Sequence, residues 1–260
     1  MKFCAVFYIT WVFSNVQAWS LSSRLQRDSV PISYNLKLIP HIKNETFDGN
    51  AFLNITEVTL DQAIRETKFH LDSELELLHV SYKDQRLVDP GEHLLNIKFR
   101  GNLQGYFGFY AIQEESNNNT RTVLATKFSP TYARRAFPCY DEPYFKSIFN
   151  IRVFKPDGSW TALSNMEEIG QVETSKGMAV DFRSTIKMST YLLAWFLGDF
   201  KYDEIIYNGR ERSIPLRFFT TKTESSDLKE ALETTRENVT ILRELYRNFI
   251  SPFKTRYVRF

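Results

Sequence analysis

ATKFSPTYARRAFPCYDEPYFKSIF, residues 125–149, is the stretch on which the fold turns. Pro130, Pro138 and Pro143 each fix φ and remove a backbone donor, so neither one continuous helix nor a central strand can run through it. Ahead of it, TVLATKF (122–128) has strand character. Behind it, SIFNIRVF (147–154) alternates apolar and polar residues. The stretch therefore reads as a rigid corner between two strands. Inside it stand Arg134 and Arg135, then Asp141 and Glu142, and their formal charges cancel. A guanidinium fork suits a bidentate grip on a carboxylate, so the simplest reading is a salt-bridged, proline-braced corner holding two sheets together. A catalytic carboxylate pair is the alternative, but no nucleophile with a base lies nearby.

Working outward, the other strand signals are short and closely spaced. Tyr34, Leu36 and Leu38 alternate with polar neighbours up to Pro40, and alternation resumes over residues 51–58. Asp48-Gly49 between them reads as the turn. Further strands are expected at 67–71, 75–82 and 93–99, with glycine-loosened chain over 101–108. Residues 114–121 read as a polar loop tip. Beyond the corner, a charged hairpin is expected around 167–176. Residues 191–200, apolar almost throughout, read as a strand buried on both faces. Asn208-Gly209 reads as a two-residue hairpin turn. The fold class expected is mainly β: an antiparallel sandwich or saddle, followed by a C-terminal amphipathic helix. That helix begins at the capping box Asp227–Glu230. Its apolar stripe runs through Leu232, Val239, Leu242, Tyr246 and Phe249 to a stop near Ser251-Pro252.

The corner and its flanks also carry a resemblance. TKFSPTYARRAFPCYDEP, with LQGYFGFY (103–110) before it and TALSNM (161–166) and MSTYLLAWFLGDF (188–200) after it, closely resembles the signature segment of the aminopeptidase N family of zinc exopeptidases. The resemblance covers nearly all of residues 30–249. It places the signature in the family's N-terminal β-domain, not in its zinc domain. The domains implied by the resemblance are the β-domain at 19–222 and the truncated helical start of a catalytic domain at 223–260, after a leader at 1–18 that is read from the residues themselves. The function implied is that of a non-catalytic part of an enzyme that removes N-terminal residues from peptides. A secreted binding or scaffold protein built on the same β-domain is the alternative.

A peptidase zinc site needs histidines and a carboxylate around one metal, as in H-E-x-x-H, where i and i+4 share a helix face. The four histidines, His41, His70, His79 and His93, include no pair four apart, and none is followed by Glu. No cofactor is therefore expected in this chain, and zinc belongs to the family's catalytic domain. There is no Gly-x-Met-Glu-Asn run, which in the family grips the substrate's amino terminus. The resemblance also implies a glutamine and a glutamate contacting substrate at the positions held here by Lys127 and Ser129. Both depart from the pattern. A lysine there would repel a protonated peptide amine; the alternative is a lysine pointing into solvent.

Composition narrows the partners and compartment. Thirty-three basic against 31 acidic side chains give no electrostatic reason to expect nucleic acid. Peptides are expected to engage only through a catalytic domain, and a protein partner to cover the apolar stripe of the C-terminal helix. MKFCAVFYITWVFSNVQAWS (1–20) has one lysine, an apolar run too short to span a bilayer, and small residues before position 19. It reads as a cleaved secretory leader, with a membrane signal anchor as the alternative. Sequons at Asn44, Asn54, Asn118 and Asn238 agree with secretion. Once Cys4 leaves with the leader, Cys139 stands alone. It is expected to be buried and inert rather than a reactive thiol.

Overall fold

The computed structural model describes residues 9–10, 25, 29–57, 67–82, 91–116, 119–208, 213–221, 232–238 and 240. The chain divides into two compact units, Met1–Gly198 and Asp199–Phe260.

In the first unit the strands are β1 (Ile9–Thr10), β2 (Val30–His41), β3 (Thr46–Glu57), β4 (Thr67–Asp72), β5 (Leu77–Tyr82), β6 (Gly91–Asn102), β7 (Gly108–Ser116) and β8 (Asn119–Lys127). After the corner come β9 (Lys146–Lys155), β10 (Thr161–Ser164), β11 (Glu168–Thr174), β12 (Gly177–Phe182), β13 (Met188–Ser189) and β14 (Trp195–Gly198). A seven-stranded sheet has the order β11-β12-β9-β2-β3-β6, with β13 also on β9. A four-stranded sheet runs β10-β14-β8-β7, and a three-stranded one β1-β5-β4. Nearly all pairings are antiparallel. β2 and β9 are parallel, from Ser33↔Ile148 to Leu38↔Val153, because the strand that follows the corner returns beside the strand that opens the sheet.

Alternation places one face of each strand inward. Tyr34, Leu36 and Leu38 of β2, Leu53 and Ile55 of β3, and Phe149, Ile151 and Val153 of β9 are all buried. They meet Phe109, Leu124, Trp195 and Leu197 of the four-stranded sheet in one core. Rings dominate it. Phe47 meets Phe109 edge-on at 5.1 Å, and Trp195 meets Phe128 and Phe109 at 5.1 and 5.5 Å. Such edge-to-face pairs contribute about 0.5–1.5 kcal/mol each beyond their burial.

Four local expectations are corrected. Asp48-Gly49 is not a turn: both lie within β3, and the chain reverses at the 3-10 turn Ile42–Asn44, with Glu45 left-handed at φ 50°. Gly49 is there because the Phe99 ring occupies the space of a side chain; a Cβ would lie 2.1 Å from its Cζ. Gly101 receives the Phe47 ring in the same way. Residues 114–116 and 119–121 are strand rather than loop: β7 and β8 remain paired out to Ser116↔Asn119, and residues 117–118 of the expected tip lie outside the described residues. Residues 191–200 are not one buried strand. A 3-10 turn (Thr190–Leu192) precedes a four-residue β14, and Leu192 is 50% exposed. The Asn208-Gly209 hairpin exists with a longer connection: β15 (Lys201–Asn208) and β16 (Ser213–Thr220) close at Asn208↔Ser213.

That hairpin belongs to the second unit, as do helical residues 232–238 and 240. The expected cap Asp227 and the apolar residues Leu242, Tyr246 and Phe249 lie outside the described residues. So do residues 1–18, expected to be a leader, except Ile9–Thr10, which pairs in parallel with Leu78 and His79. Among the described residues no helix is long and apolar enough to cross a membrane.

Candidate functional site: the proline-braced corner

Leaving β8, the chain buries Phe128 and crosses the cis Ser129–Pro130 bond. Tyr132 N–H donates back to the Phe128 carbonyl at 2.7 Å, and the chain then folds into a 3-10 turn, Ala133–Arg135, closed by Ala136 N–H donating to the Ala133 carbonyl at 2.8 Å. This turn sets the Arg134 backbone N–H and its guanidinium toward one carboxylate. Asp141, 1% exposed by side chain, accepts the Arg134 backbone N–H at 3.1 Å and its Nε–H at 3.0 Å on Oδ2. Its Oδ1 accepts the Thr190 hydroxyl at 2.7 Å. Arg134 Nη2 donates to the Asp141 carbonyl at 3.2 Å, and Nη1 to Glu76 at 2.7 Å. Glu76 reaches it from a left-handed backbone position, φ 57°, uncommon for a residue with a side chain. The corner thus joins β8, the β4–β5 turn and the segment before β14 through a charge cluster that is buried at Asp141 and half-exposed at Glu76.

The expected double pairing of Arg134 and Arg135 with Asp141 and Glu142 holds for one pair only. Arg135 lies instead over the rings of Tyr132 (4.9 Å) and Phe107 (5.9 Å), which stack on each other at 4.2 Å. Gly108 permits that approach: a Cβ there would stand 2.8 Å from the Arg135 Cβ. Glu142 accepts the Leu25 backbone N–H at 2.6 Å. The two anions diverge because consecutive residues on a proline-framed turn point apart.

Cys139 is fully buried. Burial pushes its thiol well above the ordinary range; the Asp141 carboxylate adds to this and Arg134 opposes it. A thiol so held is not the thiolate that a nucleophile requires. Next to it, Tyr140 N–H donates to the buried Tyr34 hydroxyl at 3.1 Å, and the Tyr140 hydroxyl bonds Ser29 at 2.7 Å. Burial likewise raises the Tyr34 phenol.

The outward side of the corner is different. Lys127 and Ser129 are both exposed, and Lys127 Nζ stands 5.1 Å above the Phe107 ring. With Phe107, Tyr132 and Arg135 they form a cationic, aromatic surface. Periodicity could not have found Thr190 or Glu76, which are 49 and 58 residues from their partners in the chain.

The histidines are dispersed. His41 bonds Asp48 at 3.1 Å, His70 stacks on His79 at 6.0 Å, and His93 lies in β6. Among the described residues no three His, Cys, Asp or Glu side chains are grouped to hold a metal, so this donor set does not fit a zinc centre.

Comparison with known proteins agrees with the corner's motif. The chain is 34% identical to a puromycin-sensitive aminopeptidase of Caenorhabditis elegans, over 69% of this chain and 21% of that protein. It is 32% identical to aminopeptidase A of Gloydius brevicauda over 78% and 23%, and 30% identical to endoplasmic reticulum aminopeptidase 2 of Homo sapiens over 68% and 21%. The chain therefore spans about a fifth to a quarter of the length of these relatives. Residues 50–192, more than half of the chain, match the Peptidase M1 N-terminal domain, and the chain belongs to that family.

Proposed function

We propose that these residues form the supporting, non-catalytic domain of a zinc-dependent aminopeptidase that removes N-terminal residues from peptides. The observation that carries this reading is the state of the signature's chemical groups. Asp141, Arg134 and Thr190 satisfy one another in the interior, Glu142 holds a backbone N–H, and the Cys139 thiol is buried with its proton. These groups are committed to holding the corner. What the corner offers outward is Lys127 and Ser129 beside Phe107 and Tyr132. The proposed role is a rim that borders a peptide's amino end, with metal and water activation supplied by residues outside these 260. A lysine ammonium 4 Å from a protonated amine costs roughly 1 kcal/mol in water. Lys127 on this rim therefore disfavours a charged terminus relative to a glutamine.

The test is the purified 260-residue chain, assayed for bound zinc and for release of N-terminal amino acids from a peptide. Neither is expected. Stoichiometric zinc together with hydrolysis overturns the reading.

The same proposal includes secretion: residues 1–18, β1 among them, act as a leader that is removed, leaving β4 and β5 paired with each other, and the sequons are available to glycosylation. Intact mass of the product from secreting cells is expected to place its first residue at Trp19. Retention of residues 1–18 on a membrane-bound product would instead mean a signal anchor. The apolar stripe of the C-terminal helix is proposed to be covered by a protein segment of the catalytic part.

A further inference from the structure

Asn44 ends the 3-10 turn Ile42–Asn44, is exposed, and is followed two places on by Thr46. Beside it an open groove of about 810 Å³ runs between this turn and the turn joining β9 to β10, and Asn44 itself lines the groove. That volume is in the range of small-ligand sites. Both walls are stiff. Pro40 ends one side and Pro156 the other, and the second turn is locked by Asp157 accepting from the Ser159 backbone N–H at 2.8 Å and hydroxyl at 2.7 Å. That turn carries Trp160, half-buried, whose backbone N–H donates to the Asp157 carbonyl at 3.1 Å. The groove's lining includes the half-buried Trp160 and the buried Phe154 together with the polar Lys43, Asp157 and Lys176. An indole face beside hydroxyl-bonding groups is the surface that a pyranose ring matches, with C–H bonds on the ring face and hydroxyls at its edge.

We propose that Asn44 carries an N-linked glycan whose first sugars lie in this groove against Trp160. The proposal rests on the secretory reading above and singles out one sequon within it. Asn54 sits mid-strand between Ser33 and Leu94 of the seven-stranded sheet, and Asn238 lies on the helical segment of the other unit. Among the sequons whose asparagine is described, Asn44 is the one that lines this groove, so a sugar attached there is already held beside it and loses little further freedom on docking.

The experiment is peptide mapping of the 260-residue chain from secreting cells, followed by hydrogen exchange on the folded protein before and after enzymatic removal of glycan. Occupancy at Asn44 is expected, with loss of amide protection over residues 41–44 and 157–161 on removal and no change over 201–208. Enzymatic removal acts on the folded chain and needs no variant. N44Q is expected to give the deglycosylated exchange pattern, and T46S to retain the glycan. If Asn44 is bare while other sequons are occupied, this inference falls and the secretory reading stands. If no sequon is occupied, this inference falls, and the first residue found by intact mass alone decides the secretory reading. An occupied Asn44 whose removal leaves exchange unchanged refutes the groove contact.

Discussion

Replacing Arg134 by Met is the sharpest test of the corner. The methionine keeps the stem's packing and the backbone N–H to Asp141, but removes the guanidinium that donates to Oδ2 at 3.0 Å and to the Asp141 carbonyl at 3.2 Å. Asp141, 1% exposed by side chain, is left as a buried carboxylate with two neutral donors, the backbone N–H of residue 134 and the Thr190 hydroxyl. Breaking a buried pair from one side costs about 3–5 kcal/mol. For a unit of 198 residues, an unfolding entropy of about 0.4 kcal/mol/K converts this to a fall of roughly 7–12 °C in Tm. The assay is chemical and thermal denaturation followed by near-ultraviolet circular dichroism of the ring-rich core. Arg152→Met is the control. Its pair with Asp181 is partly exposed, with side chains 44% and 25% accessible, and its loss is expected to cost about 1 kcal/mol or less. The double variant R134M/D141N should recover part of the loss, because a neutral amide needs no counter-charge. If R134M costs no more than R152M, or if the double variant is no more stable than R134M, the buried-charge account of the corner is wrong.

Three further outcomes follow from the same interior. Thr190→Val removes a hydroxyl bond to an ionised acceptor and should cost about 1.5–3 kcal/mol in urea denaturation; a change within 0.5 kcal/mol would mean the bond is not made. Burial holds the folded Cys139 thiol above the ~8.5 of an unfolded cysteine, so its stabilising contribution is complete below about pH 8.5. That contribution is then lost toward the folded value at about 1.4 kcal/mol per pH unit; Cys139→Ala should flatten this decline between pH 8.5 and 10, and an unchanged slope counts against burial. Gly49→Ala places a methyl 2.1 Å from Phe99 Cζ and should cost about 1–3 kcal/mol, with G49A/F99A less affected than the sum of the two single changes.

The motif at the corner was readable because proline and charge act locally. Three fixed φ angles forbid regular structure wherever the segment sits, so the corner and its flanking strands β8 and β9 followed from residues 122–154 alone. Alternation likewise marked the inward faces at Tyr34, Leu36 and Leu38 and at Phe149, Ile151 and Val153, because the pleat has a period of two in any sheet. Local signals failed where a partner strand decides. Asp48-Gly49 has turn chemistry, but the Phe99 ring across the ladder uses the glycine as space, and the reversal moved to residues 42–45. Leu192 and its neighbours are apolar enough for a buried strand, yet the chain turns there so that Thr190 can meet Asp141.

The sequence by itself determined the β class, the braced corner, the histidine spacing that excludes H-E-x-x-H, and the motif that places the chain in its family. These depend on residue type and near spacing, which no folding changes. Only the tertiary structure decided that Asp141 takes Arg134 and Thr190 while Arg135 turns to rings, that β9 returns parallel to β2, and that Asn44 and Trp160 line one groove. Each joins residues far apart in the chain, and which distant groups meet is set by how the sheets pack, a quantity that no short window of sequence contains.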